Sequence, residues 1–426
     1  MKKAHGFRRQ AERVPPAGAG DGRQGVWLEG MEEARAKISG SLVRLEKWVE
    51  DHEYRGYEPF DGLSSVLRPL TFGNLFLERL LQQLVRQSPI NLRPLLGIRP
   101  QESTKGRGYM AWGYLTMLRC GGPIAYQEKA KHCLEWLERN KAPGHAGHSW
   151  GNHFDFSSRG GRLPKHEPII VWTSLIGQAY LDAYKLLGER KYLDIATSIC
   201  TWIMGVPREK TATGTCLSYV AFEQGSIHNS NMLGAAMLAR TGNITGDKEY
   251  VSVAQEAMEY SCSRQLPNGA WYYGESPDRH WIDSFHTGYN LDSLKSYIET
   301  TEDVALEGNL KRGFEFFVDH FFEDGGAPKY YHDRTFPIDS QCAAQAIETL
   351  AHFSDRDERA LPMALKVANW WIDNMQDVSG YFYYRRYPLL VSKTPMLHWA
   401  QATTYRALSL LLSKMNAGRT YPERLP

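Results

Sequence analysis

Apolar residues along this chain follow two alternating patterns. The first is rich in small residues: "PIIVWTSLIGQAYLDAYKLLG" from Pro168, "SIHNSNMLGAAMLARTGNITG" from Ser226, "SFHTGYNLDSLKSYIETTE" from Ser284, "IDSQCAAQAIETLAHFSDRD" from Ile338 and "PMLHWAQATTYRALSLLLSKM" from Pro395. These starts recur at a nearly constant interval, and a sixth segment, "GYMAWGYLTMLRCG", begins at Gly108, one more interval before Pro168. The second pattern is bulkier: "AKHCLEWLERN", "YLDIATSICTWIMG", "YVSVAQEAMEYSC", "LKRGFEFFVDHFF" and "MALKVANWWIDNM". Its apolar residues recur at three- and four-residue steps, the period of an amphipathic helix. Small-residue helices that pack closely, alternating with bulkier ones, predict an inner and an outer ring.

Two further helices are expected near the N-terminus, at "MEEARAKISGSLVRLEKWVE" and "LTFGNLFLERLLQQLVRQ". The first is either an outer helix that precedes the Gly108 helix or part of an extra pair. A fixed period of about 57 residues marks a repeat architecture. Six such hairpins use most of the 426 residues. The expected fold is all-α, an (α/α)6 toroid spanning residues 26–426 as one domain, with β structure confined to loops. The opening "MKKAHGFRRQAERVPPAGAGDGRQG" is basic and rich in Pro and Gly. It reads as a disordered tail, residues 1–25, with no apolar core of a secretory signal.

Two loops between hairpins match closely. "QLPNGAW" (Gln265 to Trp271) and "QDVSGYF" (Gln376 to Phe382) both read Q-x-x-x-G-x-aromatic. Glycine there supplies the left-handed backbone of a helix-ending turn. These repeats on helical hairpins resemble the α/α-toroid superfamily over roughly residues 100 to 415. That superfamily includes terpenoid cyclases, prenyltransferase β subunits, and many polysaccharide lyases, glycoside hydrolases and uronyl epimerases. The overall pattern also resembles uncharacterised toroid proteins of surface-polysaccharide biosynthesis. Two branches fit poorly. The nearest approach to the acidic motif of triterpene cyclases is "DSQCAA" at Asp339, and the chain is too short for their second helical domain. The zinc ligands of prenyltransferases are an Asp-x-Cys pair and a later His, whereas Asp339 and Cys342 are separated by two residues before His398.

Composition narrows the function. A net charge of +2 gives no electrostatic footprint for nucleic acid. No run of 18 apolar residues exists to span a membrane. The six cysteines contain no CxxC pair and read as buried free thiols, which fits a cytoplasmic location. No phosphate loop, dinucleotide fingerprint or metal spacing is present, so no cofactor and no metal are expected. The supply of 12 Trp, 23 Tyr and 16 Phe suits platforms for sugar rings.

The loops that feed the small-residue helices carry the candidate chemistry. At their first turns stand His228-Asn229, His286-Thr287, Asp339-Ser340, Val171-Trp172 and His398-Trp399. Equivalent positions in a toroid converge on one end of the central cavity. Before them lie the doublets Tyr272-Tyr273, Tyr330-Tyr331 and Tyr383-Tyr384, with Arg279, Arg334, Arg385 and Arg386 as basic neighbours. Rings stack on pyranose faces, and Arg forks onto carboxylates. An acidic glycan is the expected partner. Trp271 belongs to the repeated scaffold. The insert "GESPDRHWID", which has no counterpart in other repeats, and His286 behind it are where chemistry is most expected.

Three readings follow. A hydrolase needs two carboxylates, from Glu275, Asp278, Asp283 and Asp339, with Asp155 behind them. A lyase or a uronate C5-epimerase needs a base, an acid and an enolate stabiliser, from His286, Tyr289, His228, Tyr273 and Arg279. A non-catalytic glycan-binding or polysaccharide-assembly protein needs only the cavity. Hydrolysis or β-elimination leads, with His286, Asp339, Asp283, Glu275 and His228 as catalytic candidates. Tyr272, Tyr273, Arg279, Trp281, Tyr289, Asn229, Tyr331, Tyr384, Arg385, His398, Trp399 and Trp172 are the substrate-binding candidates. The glycan and the oligomeric state are not readable from the sequence.

Overall fold

The computed structural model describes residues 21–158 and 161–416, with side chains from Gly30 onward. The tail expected over residues 1–25 therefore falls mostly outside the described residues. Its last five are already helical, because α1 spans Asp21–Asp51.

Six helices form a closed inner ring: α3 (Thr104–Arg119), α5 (Ile170–Leu187), α7 (His228–Thr245), α9 (Ser284–Thr301), α11 (Ser340–His352) and α13 (Thr403–Asn416). Each packs on the next, and α13 packs back on α3. Around them lie α4 (Ala125–Arg139), α6 (Arg190–Met204), α8 (Lys248–Ser263), α10 (Glu307–His320) and α12 (Ala360–Met375). The sixth outer position is filled by α1, which packs on α13 and α12. The first N-terminal helix is thus an outer helix, and the first and last helices together close the circle. This is the (α/α)6 toroid. Strands are two to four residues long and lie in the loops. No helix among the described residues is long and apolar enough to cross a membrane.

Small residues let the inner helices approach one another. Built onto Gly177, a Cβ would meet Met237 of α7 at 2.7 Å, and at Gly288 it would meet Gln345 of α11 at 2.7 Å. Two to three turns into the ring, polar side chains fill the axis. Arg406 pairs with Glu348 at 3.0 Å and Arg240 with Asp182 at 2.7 Å, with Arg406 lying 4.0 Å over the Trp112 ring. This network closes one end of the ring and leaves the other open.

The same device joins each outer helix from α4 onward to the next. Loop glycines press on the following outer helix, where a Cβ would meet backbone oxygen: Gly147 on Ser198, Gly214 on Glu256, Gly269 on Arg312, Gly326 on Lys366 and Gly380 on Arg44. At Gly269 and Gly380 the Q-x-x-x-G motif explains itself. Their φ values are +92° and +109°, and a Cβ would lie 2.2 and 2.3 Å from those oxygens. Gln265 Nε2 donates to Gly269 O and to Asn309 O, the latter on α10, at 2.9 and 3.0 Å. Gln376 Nε2 donates to Gly380 O and to Ser41 O, the latter on α1, at 2.8 and 3.1 Å. The aromatic is scaffold, as expected of Trp271, whose Nε1 donates to Ser261 O at 2.8 Å. The second motif therefore grips α1 and seals the ring.

The cysteines agree with the thiol reading in part. All six are free and five are buried, while Cys120 is half-buried. Burial pushes Cys200, Cys216 and Cys262 up to about 12, so these thiols stay protonated.

One test separates backbone strain from steric contact. Gly188 also has positive φ, at +72°, but a Cβ there meets nothing within 4 Å. Gly188→Ala is expected to cost about 1–2 kcal/mol of left-handed strain. Gly380→Ala is expected to cost more, because it adds the collision with Arg44. Equal denaturant midpoints for the two variants would refute the clamp.

Candidate active site

Helix starts decide which side chains reach the open end of the ring. The N-cap residues are Ser103, Ile169, Ile227, Asp283 and Asp339, and Met396 precedes the π-helical turn Leu397–Ala402 that leads into α13. The second residue after each of these is Lys105, Val171, Asn229, Phe285, Gln341 and His398. All except Gln341 line a cavity of about 850 Å³ at this end of the ring, and Gln341 donates to the Tyr289 hydroxyl beneath it at 3.1 Å. The third positions Trp172, His286 and Trp399 also line it.

This register corrects the pairing of His228 with His286. His228 is the first residue of α7, whereas His286 is the third of α9, so the two rings point differently. His228 is buried outside the cavity. Its Nδ1 meets Ser261 Oγ at 3.2 Å and its Nε2 meets Glu275 at 2.8 Å. Arg264 holds the other Glu275 oxygen at 3.1 Å. The hydrogen bond from His228 is the main reason that Glu275 stays below the usual carboxylate range. Neither residue lines the cavity. Asp339 is also held elsewhere: it caps α11 through Gln341 N, and takes Arg385 Nε at 2.8 Å and Trp399 Nε1 at 2.7 Å. Of the expected substrate contacts, Tyr272 stacks on His280 and Tyr384 is buried behind Arg86, and both lie off the cavity wall. The wall does hold Tyr273, Arg279, Trp281, Tyr289, Asn229, Tyr331, Arg385, His398, Trp399 and Trp172.

Asp283 does not face the cavity; it holds His286. Its carboxylate accepts from His286 N at 3.0 Å, from the His286 ring Nδ1 at 2.7 Å and from Trp281 Nε1 at 2.9 Å. In the neutral form of the ring, an Nδ1–H donated to a carboxylate fixes the tautomer, with the lone pair on Nε2. His286 Nε2 has no hydrogen-bond partner among the described residues. The Tyr273 ring packs 4.5 Å from the imidazole and fixes its tilt.

A second imidazole also stands against a buried carboxylate. Buried His398 contacts the buried Glu58 carboxylate through Nδ1, and its backbone N–H reaches Glu58 Oε1 at 3.3 Å. Its Nε2 is buried with no protein partner among the described residues. Desolvation lowers its pKa despite Glu58, so the ring is neutral near pH 7. His398 stands on a π-helical turn, a local widening that often marks functional positions.

Lys105 completes the floor. It is buried, it donates to Tyr289 Oη at 3.2 Å, and its Nζ lies 5.5 Å from the Tyr289 ring centroid and 6.0 Å from that of Trp172. Burial without a carboxylate partner lowers its pKa to about 7. Tyr289 Oη also meets Tyr109 Oη at 3.2 Å, and burial keeps both phenols protonated. Asn229 Oδ1 and Gln341 Oε1 are buried without protein partners among the described residues. Asn229, on the cavity wall, thus holds an unmatched acceptor for a hydroxyl-rich ligand.

Lys105, Glu58 and the arginines Arg79 and Arg86 of α2 (Leu75–Gln87), two arginines that line the cavity mouth, are not among the sequence candidates. Glu58 lies before the repeat, where no periodicity points to it. Lys105 did leave a signal: Ser103 accepts from Gly106 N at 3.3 Å, an N-cap that starts α3 four residues before Gly108. Among the described residues no group of three His, Cys, Asp or Glu is placed to hold a metal ion.

No family model and no curated protein matches this chain. Solved structures do. A sugar epimerase from a ruminal bacterium matches with TM-score 0.58 and 13% identity, covering 76% of this chain and 91% of that one. A cellobiose 2-epimerase from Spirochaeta thermophila matches with TM-score 0.57 and 13% identity over 75% and 88%. An inactive variant of an α-1,6-mannanase from Salegentibacter, bound to α-1,6-mannotriose, matches with TM-score 0.56 and 13% identity over 74% and 90%. At such identities these likenesses establish the fold, the α/α toroid.

Lys105 makes the pH test. A lysine that titrates at about 7 when folded and at 10.5 when unfolded binds fewer protons in the folded state between those values. Stability then rises with pH across that window. Relative to Lys105→Met, the wild type should gain stability from pH 7 toward 10.5, measured by denaturant unfolding. Parallel pH curves for the two proteins would show that Lys105 titrates normally.

Proposed function

We propose that this protein is a carbohydrate-active enzyme that moves a proton at a sugar carbon next to a carbonyl or carboxylate. One observation carries the reading: two imidazoles, each with Nδ1 against a buried carboxylate, line one aromatic cavity. The sugar would stack on Trp172, Trp281 or Trp399. Nε2 of His286 would take the proton as Asp283 steadies the imidazolium that forms. The developing enolate oxygen would be met by Lys105 or by the Tyr289 phenol, donors already in place away from water.

Hydrolysis is less well supported. It needs two carboxylates across the bond, and the only carboxylate on the cavity wall among the described residues is Glu223, an exposed residue at the rim. The mannanase neighbour is inactive when two consecutive aspartates are replaced by asparagine, and this chain has no two consecutive aspartates. Two of the neighbours named above are sugar epimerases. A second imidazole supports epimerisation, since one group can take the proton and the other return it. β-Elimination is the second reading, favoured by a protonated Tyr289 as the acid for the leaving oxygen. The cation-rich wall, with Arg79, Arg86, Lys105, Arg162, Arg279 and Arg385, supports an acidic sugar. Surface-polysaccharide synthesis and a cytoplasmic site of action belong to this proposal.

The test is incubation with uronate oligosaccharides and neutral disaccharides in D2O, followed by mass spectrometry. One deuterium gained without cleavage is the epimerase outcome, and an unsaturated fragment is the lyase outcome. A product heavier by one water overturns the proposal, and binding without turnover leaves a glycan-binding protein. His286→Ala and His398→Ala should each lower turnover about 10²–10⁴-fold with unchanged circular dichroism.

A further inference from the structure

The helix that overhangs the cavity is built against expectation. α2 (Leu75–Gln87) lies outside both rings. Its inner side buries Val85 and packs Leu81 against the core. Its other side carries Phe76, Leu80 and Leu84 at four-residue spacing, 69%, 47% and 61% exposed. A surface helix of a soluble domain shows water a polar face, and this one shows an apolar stripe. Phe76 and Leu80 line the cavity wall, as does Phe222, which is 56% exposed. The stripe therefore runs out of the cavity mouth and is continuous with it.

The charge of the same wall adds a second observation. Arg79, Arg86, Lys105 and Arg279 line it. Arg79, Arg86 and Lys105 form no ion pair with a carboxylate among the described residues, and Glu223 is the one acid on the wall. A ligand that satisfies both features has an anionic head and an apolar tail.

We infer that the substrate is a lipid-linked acidic sugar, its head in the cavity and its hydrocarbon chain laid along Phe76, Leu80 and Leu84. The inference rests on the sugar site proposed above and adds the tail. Burying hydrocarbon on an apolar stripe gains affinity with each methylene. A free surface sugar needs no such stripe.

The experiment compares methyl and octyl β-D-glucuronide by calorimetry below the micelle concentration, with octyl β-D-glucoside as the uncharged head. Octyl glucuronide should bind at least tenfold more tightly than methyl glucuronide and than octyl glucoside. Phe76→Gln/Leu80→Gln/Leu84→Gln should erase the gain from the chain, so that this variant binds octyl and methyl glucuronide equally, with the melting temperature unchanged. Methyl and octyl glucuronide binding equally would overturn the lipid tail and leave the sugar site standing. No binding of either glucuronide would overturn both. A concentration-dependent dimer that the triple variant abolishes would assign the stripe to a second copy and overturn the inference. So would chain-independent binding to phosphatidylcholine–phosphatidylglycerol vesicles that the triple variant abolishes.

Discussion

The contact between a loop glycine and the backbone of the next outer helix underlies the whole molecule. It recurs at Gly147, Gly214, Gly269, Gly326 and Gly380, each against a main-chain oxygen. A contact this close sets the spacing between hairpins, because no side chain fits between them. Repeated around the ring, the spacing closes six hairpins on themselves, with α1 filling the last gap. Closure brings six helix starts to one end, and a cavity exists only because they meet there. The glutamine of the motif anchors the turn to the neighbouring helix, and the aromatic packs back under it.

The second consequence is electrostatic. An inner helix start placed at the cavity offers a cap residue and, two and three positions further on, side chains on the wall. Asp283 uses both relations at once. It caps α9 through His286 N and orients the His286 ring through Nδ1. Asp339 occupies the same cap position on α11 but is turned toward Arg385 and Trp399. Cap carboxylates in this protein thus hold other groups and stay out of the cavity. That is why the cavity is lined by imidazoles, basic side chains and rings, the set on which the proposed proton transfer at carbon rests. Buried polar groups such as Lys105 and Glu58 cost stability when desolvated.

Much of this was legible in the sequence. The regular repeat interval, the alternation of small and bulky helical segments and the two Q-x-x-x-G-x-aromatic loops pointed to the toroid, its two rings and its loop-borne strands. The insert from Gly274 to Asp283 did bring Arg279 and Trp281 to the cavity wall and Asp283 behind His286. Glu275 and His228 were drawn to each other instead. Their attraction is a tertiary fact: nothing in the local pattern around either residue shows that their side chains meet at 2.8 Å.

The architecture was written in the chain alone, because helix period, small residues and turn glycines are local signals that repeat six times and reinforce one another. The site was not. A helix that starts one or two residues earlier turns its side chains by about 100° per residue, so His228 and His286 part company although they match in the repeat. Glu58, against His398, and α2 reach the site from outside the repeat, through packing between segments far apart in the chain, and Lys105 stands on α3 ahead of the Gly108 start. Which polar residue faces substrate and which is held by its neighbours is settled by that packing.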